Sequence, residues 1–80
     1  MKREIKAGKL YRHFKGNIYK VICVAMHTET SEDIVIYQDT KNEYKIYARP
    51  IDMFLSEVDK EKYPNVEQHY RFEKLNDIMD

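Results

Sequence analysis

Apolar and polar positions come in short bursts along this chain. The two densest apolar runs, Val21-Ile22-Cys23-Val24-Ala25-Met26 and Ile34-Val35-Ile36-Tyr37, flank the polar stretch His27-Thr28-Glu29-Thr30-Ser31-Glu32-Asp33. Both runs are rich in β-branched residues and lack Gly and Pro, so Ile18 to Gln38 predicts a long β-hairpin whose strands pair at the centre of a sheet. Side chains alternate along a strand, which assigns Tyr19, Val21, Cys23 and Ala25 to one face and Lys20, Ile22, Val24 and Met26 to the other. Apolar residues on both faces are what a central or strongly curved strand carries. On this pattern Cys23 is an inert buried thiol, and Ile36 is a core residue.

The same reading extends outward. Residues 1–7 form a loose basic lead-in, and residues 8–80 form one domain that begins at Gly8. Leu10-Tyr11-Arg12-His13-Phe14 predicts a first strand that turns at Lys15-Gly16-Asn17, where Gly and Asn tolerate left-handed conformations. After the third strand, Ile34 to Gln38, the turn formers Asp39-Thr40-Lys41-Asn42 lead into a fourth strand over Tyr44 to Ala48. Arg49-Pro50 stops that strand, and Ile51-Asp52-Met53-Phe54-Leu55 follows as one short helical turn that plugs an open barrel end. Asp59 to Asn65 is a polar loop. Tyr70, Phe72 and Lys74 alternate, which fits a last strand near His69 to Leu75, while the spacing of Val66, Tyr70 and Glu73 also suits a helix; periodicity over so short a run does not choose. Five short strands in one small domain predict a mainly β architecture, a closed or half-closed roll that removes exposed edges.

Composition narrows the function classes. A chain of 80 residues sits near the lower limit at which one core sustains folding without disulfides or metal. Zero formal net charge and a charged fraction of 35% lack the overall positive field of a non-specific nucleic-acid binder. The distribution is uneven, because Lys2, Arg3, Lys6, Lys9, Arg12, Lys15 and Lys20 face Glu4 alone, leaving residues 1–20 at +6 and the rest of the neutral chain at −6. Short stretches of one sign are ordinarily solvated surface. The seven tyrosines make the core lean on amphipathic rings whose hydroxyls need a partner or water. The single cysteine excludes an intrachain disulfide, and no segment has the roughly 18 apolar residues of a membrane span or the apolar stretch of a signal peptide. A cytoplasmic location and no membrane association are the expectation.

At this point the ordered series Tyr11-Arg12-His13-Phe14-Lys15-Gly16-Asn17, Tyr19-Lys20-Val21, Ala25-Met26-His27-Thr28-Glu29-Thr30, Val35-Ile36-Tyr37, Arg49-Pro50 and Met53-Phe54 closely resembles the small bacterial family called domain of unknown function 1653. The resemblance runs from about Gly8 to Leu75. It implies a five-stranded SH3-like roll or half-open barrel with one short helical turn after Arg49-Pro50, and it implies no established activity. The chain departs from the family's pattern in having Tyr47 where a Trp is usual, and Asp39-Thr40-Lys41 where a Leu-Tyr-Gly turn is common.

The densest cluster of chemically able side chains is the hairpin turn. His27, Thr28, Glu29 and Thr30 offer an imidazole, a carboxylate and two hydroxyls that can converge on a polar ligand; the same side chains also serve to hydrogen-bond the turn's own backbone. His13, His27 and Glu29 make a three-donor set whose spacing fits no zinc signature, so no metal is assigned. Arg49, pinned before Pro50, suits an ion pair or the capture of an anion. Tyr11, Tyr37, Tyr44 and Tyr47 fall on three of these strands, as groove floor or as core cover. No nucleophile elbow, phosphate loop or dinucleotide fingerprint is present. The preferred reading is a non-catalytic recognition module whose face, built from Arg12, His13, His27, Thr28, Glu29, Thr30, Tyr37 and Arg49, binds a polar or anionic partner, a peptide or a nucleic acid, without a cofactor. Two alternatives stand beside it: a small hydrolase-like enzyme with His27 as general base oriented by Glu29, and nucleic-acid binding through the basic N-terminal segment.

Overall fold

The computed structural model of the protein describes residues 4–75. Residues 1–3 of the expected lead-in and residues 76–80 at the expected end of the domain lie outside the described residues. Five strands, β1 (Leu10–His13), β2 (Ile18–Met26), β3 (Asp33–Asp39), β4 (Ile46–Pro50) and β5 (Phe72–Lys74), form one antiparallel sheet in the order β4-β3-β2-β1-β5. One helical turn, α1 (Ile51–Phe54), follows β4 directly. The long hairpin is central, as its β-branched runs require. The last strand pairs with the first, Phe72 opposite His13 and Lys74 opposite Tyr11, which settles residues 72–74 as strand. This is the connectivity of an SH3-like roll, with the helical turn between the last two strands.

The sheet curls around aromatic rings. Tyr11, Val21, Val35, Tyr37, Phe54 and Phe72 form the buried cluster, with Ile5, Tyr19, Ile51 and Leu55 packed against it. Phe54 of α1 stacks on Phe72 of β5 with ring centres 4.1 Å apart and planes within 5°. Tyr11 and Tyr37 meet Phe54 edge-on at 5.4 and 5.5 Å, and Tyr37 meets Phe72 at 5.4 Å. Offset-stacked and edge-to-face pairs are the arrangements the ring quadrupole favours. The buried tyrosines also find partners for their hydroxyls: Tyr11 accepts the Lys6 N–H at 3.3 Å and Tyr37 accepts Arg49 Nε–H at 3.1 Å. Part of the basic lead-in is thereby attached to the domain, through Ile5 packed against the core and through the Lys6 amide.

Three expectations from the pattern are corrected. First, the fourth strand is Ile46–Pro50 rather than Tyr44 to Ala48, and Arg49 and Pro50 belong to it, opposite Val35 and Ile34. β4 is an edge strand, where a residue without an N–H costs no ladder bond on the solvent side. Tyr44 is left 89% exposed outside it. Second, strict alternation in β2 fails. Val21 pairs with Tyr37, but Cys23 pairs with Ile36, so Ile22 is the extra residue of a β-bulge and every side chain beyond it changes face. Val24 now shares the inner face with Val35, while Cys23 and Ala25 lie on the outer face with Ile36 and Ile34. Third, Cys23 is exposed, as are all of Ile22 to Met26, with Val24 42% exposed even opposite buried Val35, and Ile36 is only half-buried, not core. No helix among the described residues is long and apolar enough to cross a membrane.

These placements make opposite demands on neighbouring side chains. Phe54→Ala is expected to cost about 3–5 kcal/mol, enough to leave so small a domain largely unfolded, whereas Ile36→Ala is expected to cost about 1 kcal/mol. Urea melts of the two variants measure both. The Cys23 thiol is expected to react with a thiol reagent in the native protein nearly as fast as after unfolding; strong protection in the native state would return it to the core.

Candidate functional site

The residues of greatest chemical interest gather where three parts of the chain meet: the turn after β1, the end of β4, and the loop from Leu55 to Arg71. The β1–β2 turn is tight. Gly16 takes a φ of 107°, its N–H donates to the His13 carbonyl at 2.8 Å, and the His13 N–H donates to Asn17 at 2.8 Å. That geometry holds His13, Phe14 and Lys15 at a corner of the roll. The long loop is sewn to the same corner. The Phe14 N–H donates to the Arg71 carbonyl at 3.0 Å, the Arg71 N–H to Ser56 at 2.8 Å, and the Val58 N–H to His69 at 2.8 Å. The two N–H groups of the Gln68 amide lie within reach of three carbonyls, those of Arg12, Tyr70 and Arg71 at 2.9, 2.8 and 3.3 Å. Lys60 donates to the carbonyls of Val66 and Gln68, closing the loop on itself.

Between these parts lies a cleft of about 320 Å³, lined by His13, Phe14, Lys15, Arg49, Val58, Asp59, Lys62, Tyr63 and Arg71. Its walls are aromatic: His13 stacks on Phe14 with ring centres at 4.4 Å, and Phe14 meets Tyr63 at 4.9 Å. Its charge is one-sided. Lys15, Arg49, Lys62 and Arg71 face Asp59, whose Oδ1 already accepts the N–H groups of Glu61 and Lys62 at 3.0 and 3.3 Å. Among the described residues none of the four cations is in an ion pair with a carboxylate. The two guanidinium groups are anchored through one nitrogen each, Arg49 Nε to the Tyr37 hydroxyl at 3.1 Å and Arg71 Nε to Ser56 Oγ at 3.1 Å. Lys15 Nζ lies 5.7 Å and Lys62 Nζ 5.6 Å from the centre of the Tyr63 ring.

His13 registers this field. Its pKa is lowered to about 4, first by burial, which disfavours the charged imidazolium, and then by the positive charges of Arg49, Arg71 and Lys15. The ring is neutral near pH 7. Its Nδ1 accepts the Lys15 N–H at 3.1 Å, which leaves the proton on Nε2. A neutral imidazole held beside Arg49, Arg71 and Lys15 is a hydrogen-bond donor poised to become a further positive charge when a negative one arrives.

The structure divides the residues singled out from the sequence. His13 and Arg49 line this cleft, and Tyr37 supports it by holding Arg49. Arg12 lies on β1's other face, where Nε donates to Gln68 Oε1 at 3.4 Å. His27, Thr28, Glu29 and Thr30 stand apart from the cleft on an exposed hairpin tip. There His27 Nδ1 accepts the Glu29 N–H at 3.2 Å and Thr30 Oγ1 accepts the Glu32 N–H at 3.2 Å, with Ser31 at a left-handed φ of 61°. An imidazole whose Nδ1 accepts a backbone amide does not donate that nitrogen's proton to a carboxylate, so the orientation that a His27 and Glu29 dyad needs is absent here. Among the described residues no cluster of three His, Cys, Asp or Glu side chains is arranged to hold a metal ion. Phe14, Lys15, Val58, Asp59, Lys62, Tyr63 and Arg71 are the cleft residues that sequence reasoning passed over. Their one local signal is the Tyr63-Pro64 pair with its flanking lysines inside an otherwise polar loop.

The His13 shift sets a pH dependence of stability. In the unfolded chain the imidazole keeps its ordinary value of 6.5, while in the folded protein it titrates near 4, so between these values the unfolded chain holds a proton the folded one lacks. Stability is expected to fall as pH drops from 6.5 toward 4, with no further contribution from this group below that. NMR titration of the His13 ring alongside urea melts checks both halves; a ring that titrates at 6.5 would place it in solvent.

Comparison with known proteins adds the family and nothing on activity. No curated protein and no solved structure gives a significant match. One family profile does, over residues 9–74, which is most of the chain and takes in β1 through β5 together with every residue of the cleft. The chain therefore belongs to the family described as protein of unknown function, DUF1653.

Proposed function

We propose that this protein is a non-catalytic recognition module that binds an anionic partner in the cleft between the β1–β2 turn, β4 and the Leu55 to Arg71 loop. The observation that carries the reading is the set of four cations, Lys15, Arg49, Lys62 and Arg71, around one cleft with a single, already engaged carboxylate. Like charges held together without partners cost stability, and a fold keeps such an arrangement at a functional site where a ligand supplies the missing charge. The anchoring through Nε supports it further, because a pre-oriented guanidinium loses less side-chain freedom when it takes up an anion. A lone cysteine that has no intrachain partner fits a reducing compartment, and a cytoplasmic setting is part of the proposal.

Sulfate is the simplest probe, since its charge stays constant over the relevant pH range. At constant ionic strength, sulfate is expected to raise the melting temperature of the protein. Arg71→Gln and Arg49→Gln should abolish most of that rise while changing stability without sulfate by no more than about 1 kcal/mol. Lys41→Gln, on the β3–β4 turn and outside the cleft lining, serves as the control that keeps it. Bound sulfate favours the imidazolium form of His13, so affinity is expected to rise as pH falls from neutrality toward 4, and His13→Gln should flatten that rise. A sulfate effect equal in all variants would reduce it to a general salt effect and end the proposal.

A further inference from the structure

The cleft carries more information than its charge. Resting on the anion-site reading above, we infer that it takes a phosphomonoester borne on a flat heterocycle, a nucleoside 5′-monophosphate. Three features point there. The first is the amount of charge. A carboxylate ligand offsets one of the four cations, whereas a phosphomonoester brings −1.5 to −2 and three acceptor oxygens near neutral pH. Arg49 and Arg71 each have Nε engaged, which leaves the terminal Nη pair as the free fork, the edge that meets phosphate oxygens two at a time.

The second feature is size. A volume of about 320 Å³ is roughly ten times the share of one water molecule, far more than one phosphorus and its oxygens occupy, so the ligand has a body. The lining beyond the cations describes that body: the Phe14 and Tyr63 rings and the buried Val58 offer flat apolar contact. The third feature is polar. Asp59 lines the cleft with one oxygen committed to the turn that follows it. Its other oxygen is an acceptor in a site otherwise full of donors. It repels a phosphate and suits the amino group of a base, which a phenyl ring or a lipid chain does not have. His13, on the same cleft lining, contributes an Nε2–H donor. The cations also sit around one cleft rather than along a face, an arrangement for a single compact anion and not for a run of phosphodiesters, which calls for a charged groove that tracks the strand.

The experiment is a set of titrations of the full chain, read by calorimetry and by amide NMR shifts, with AMP, adenosine, inorganic phosphate and phosphotyrosine as probes. AMP is expected to bind at least tenfold more tightly than phosphate, adenosine or phosphotyrosine, and to shift the amides of residues 13–15 and 58–63. Tyr63→Leu should bring AMP to within threefold of phosphate, and Arg71→Gln should weaken both together. Phosphate and AMP binding equally would leave an anion site and overturn the nucleotide. Phosphotyrosine matching AMP would remove the role assigned to the base. Absence of binding by all four probes would overturn this inference and the anion-site reading together. These comparisons are made on the unaltered protein, so they stand even if a variant fails to fold. A single-stranded oligonucleotide with a 5′-phosphate, compared with its 5′-hydroxyl form, identifies the source. Tighter binding than AMP that depends on the terminal phosphate would support the same chemistry delivered by a strand end, and equal binding of both forms would overturn it in favour of phosphodiester contacts.

Discussion

The stack of Phe54 on Phe72 is the contact on which the rest of this small roll depends. It joins the one helical turn to the last strand, and it is the point where the sheet's open side is filled. Tyr11 and Tyr37 close on the pair edge-on from the first and third strands, so four elements share one aromatic centre. A domain of 80 residues buries too little surface to afford a second core. Large rings that each reach several strands are an economical way to build the first, and every one of these rings lies at a position where a smaller side chain would leave the curl unsupported.

The same centre places the cleft. Phe72 follows Arg71, so the strand pairing that seats the one ring delivers the other side chain to the corner occupied by His13 and Phe14. Tyr37 does two things at once: its ring belongs to the core, and its hydroxyl holds Arg49 at the cleft wall. Packing and electrostatics are thus coupled through particular residues. The cations are kept close together not by ion pairs of their own but by a scaffold whose hydrophobic closure outweighs their mutual repulsion. The lowered pKa of His13 reflects first its burial in that scaffold and then the nearby charges of Arg49, Arg71 and Lys15.

The outer face of the sheet shows the other consequence of small size. Cys23, Ile36 and Ala48 form one row across three strands, and Ala25, Ile34 and Pro50 form the next, with no layer covering them among the described residues. A single curled sheet has one interior, and it is the side that holds the aromatic rings. The apolar runs of β2 and β3 supply both sides, and in β2 only Val21 of its run is buried, with Ile22 to Met26 at the surface. The bulge at Ile22 decides which of them share a face with the aromatic rings.

Much of the architecture was legible in the sequence because it is local. The β-branched runs, the Gly16-Asn17 turn and the helical turn after Pro50 each follow from conformational preferences of adjacent residues, and the ordered motifs carried the family with them. Tertiary structure decided what local preference does not encode. A bulge of one residue exchanged the faces of Cys23 and Val24, and an edge position let Pro50 complete a strand that its missing N–H argued against. The site divides along the same line. His27 to Thr30 was visible as a cluster because its members are neighbours in sequence, yet neighbours in a turn mostly bond their own backbone. The cleft draws on residues 13–15, 49, 58–63 and 71, which nothing in one dimension groups together. Only the pairing of the last strand with the first, closed by Phe54 and Phe72, brings their charges into one place.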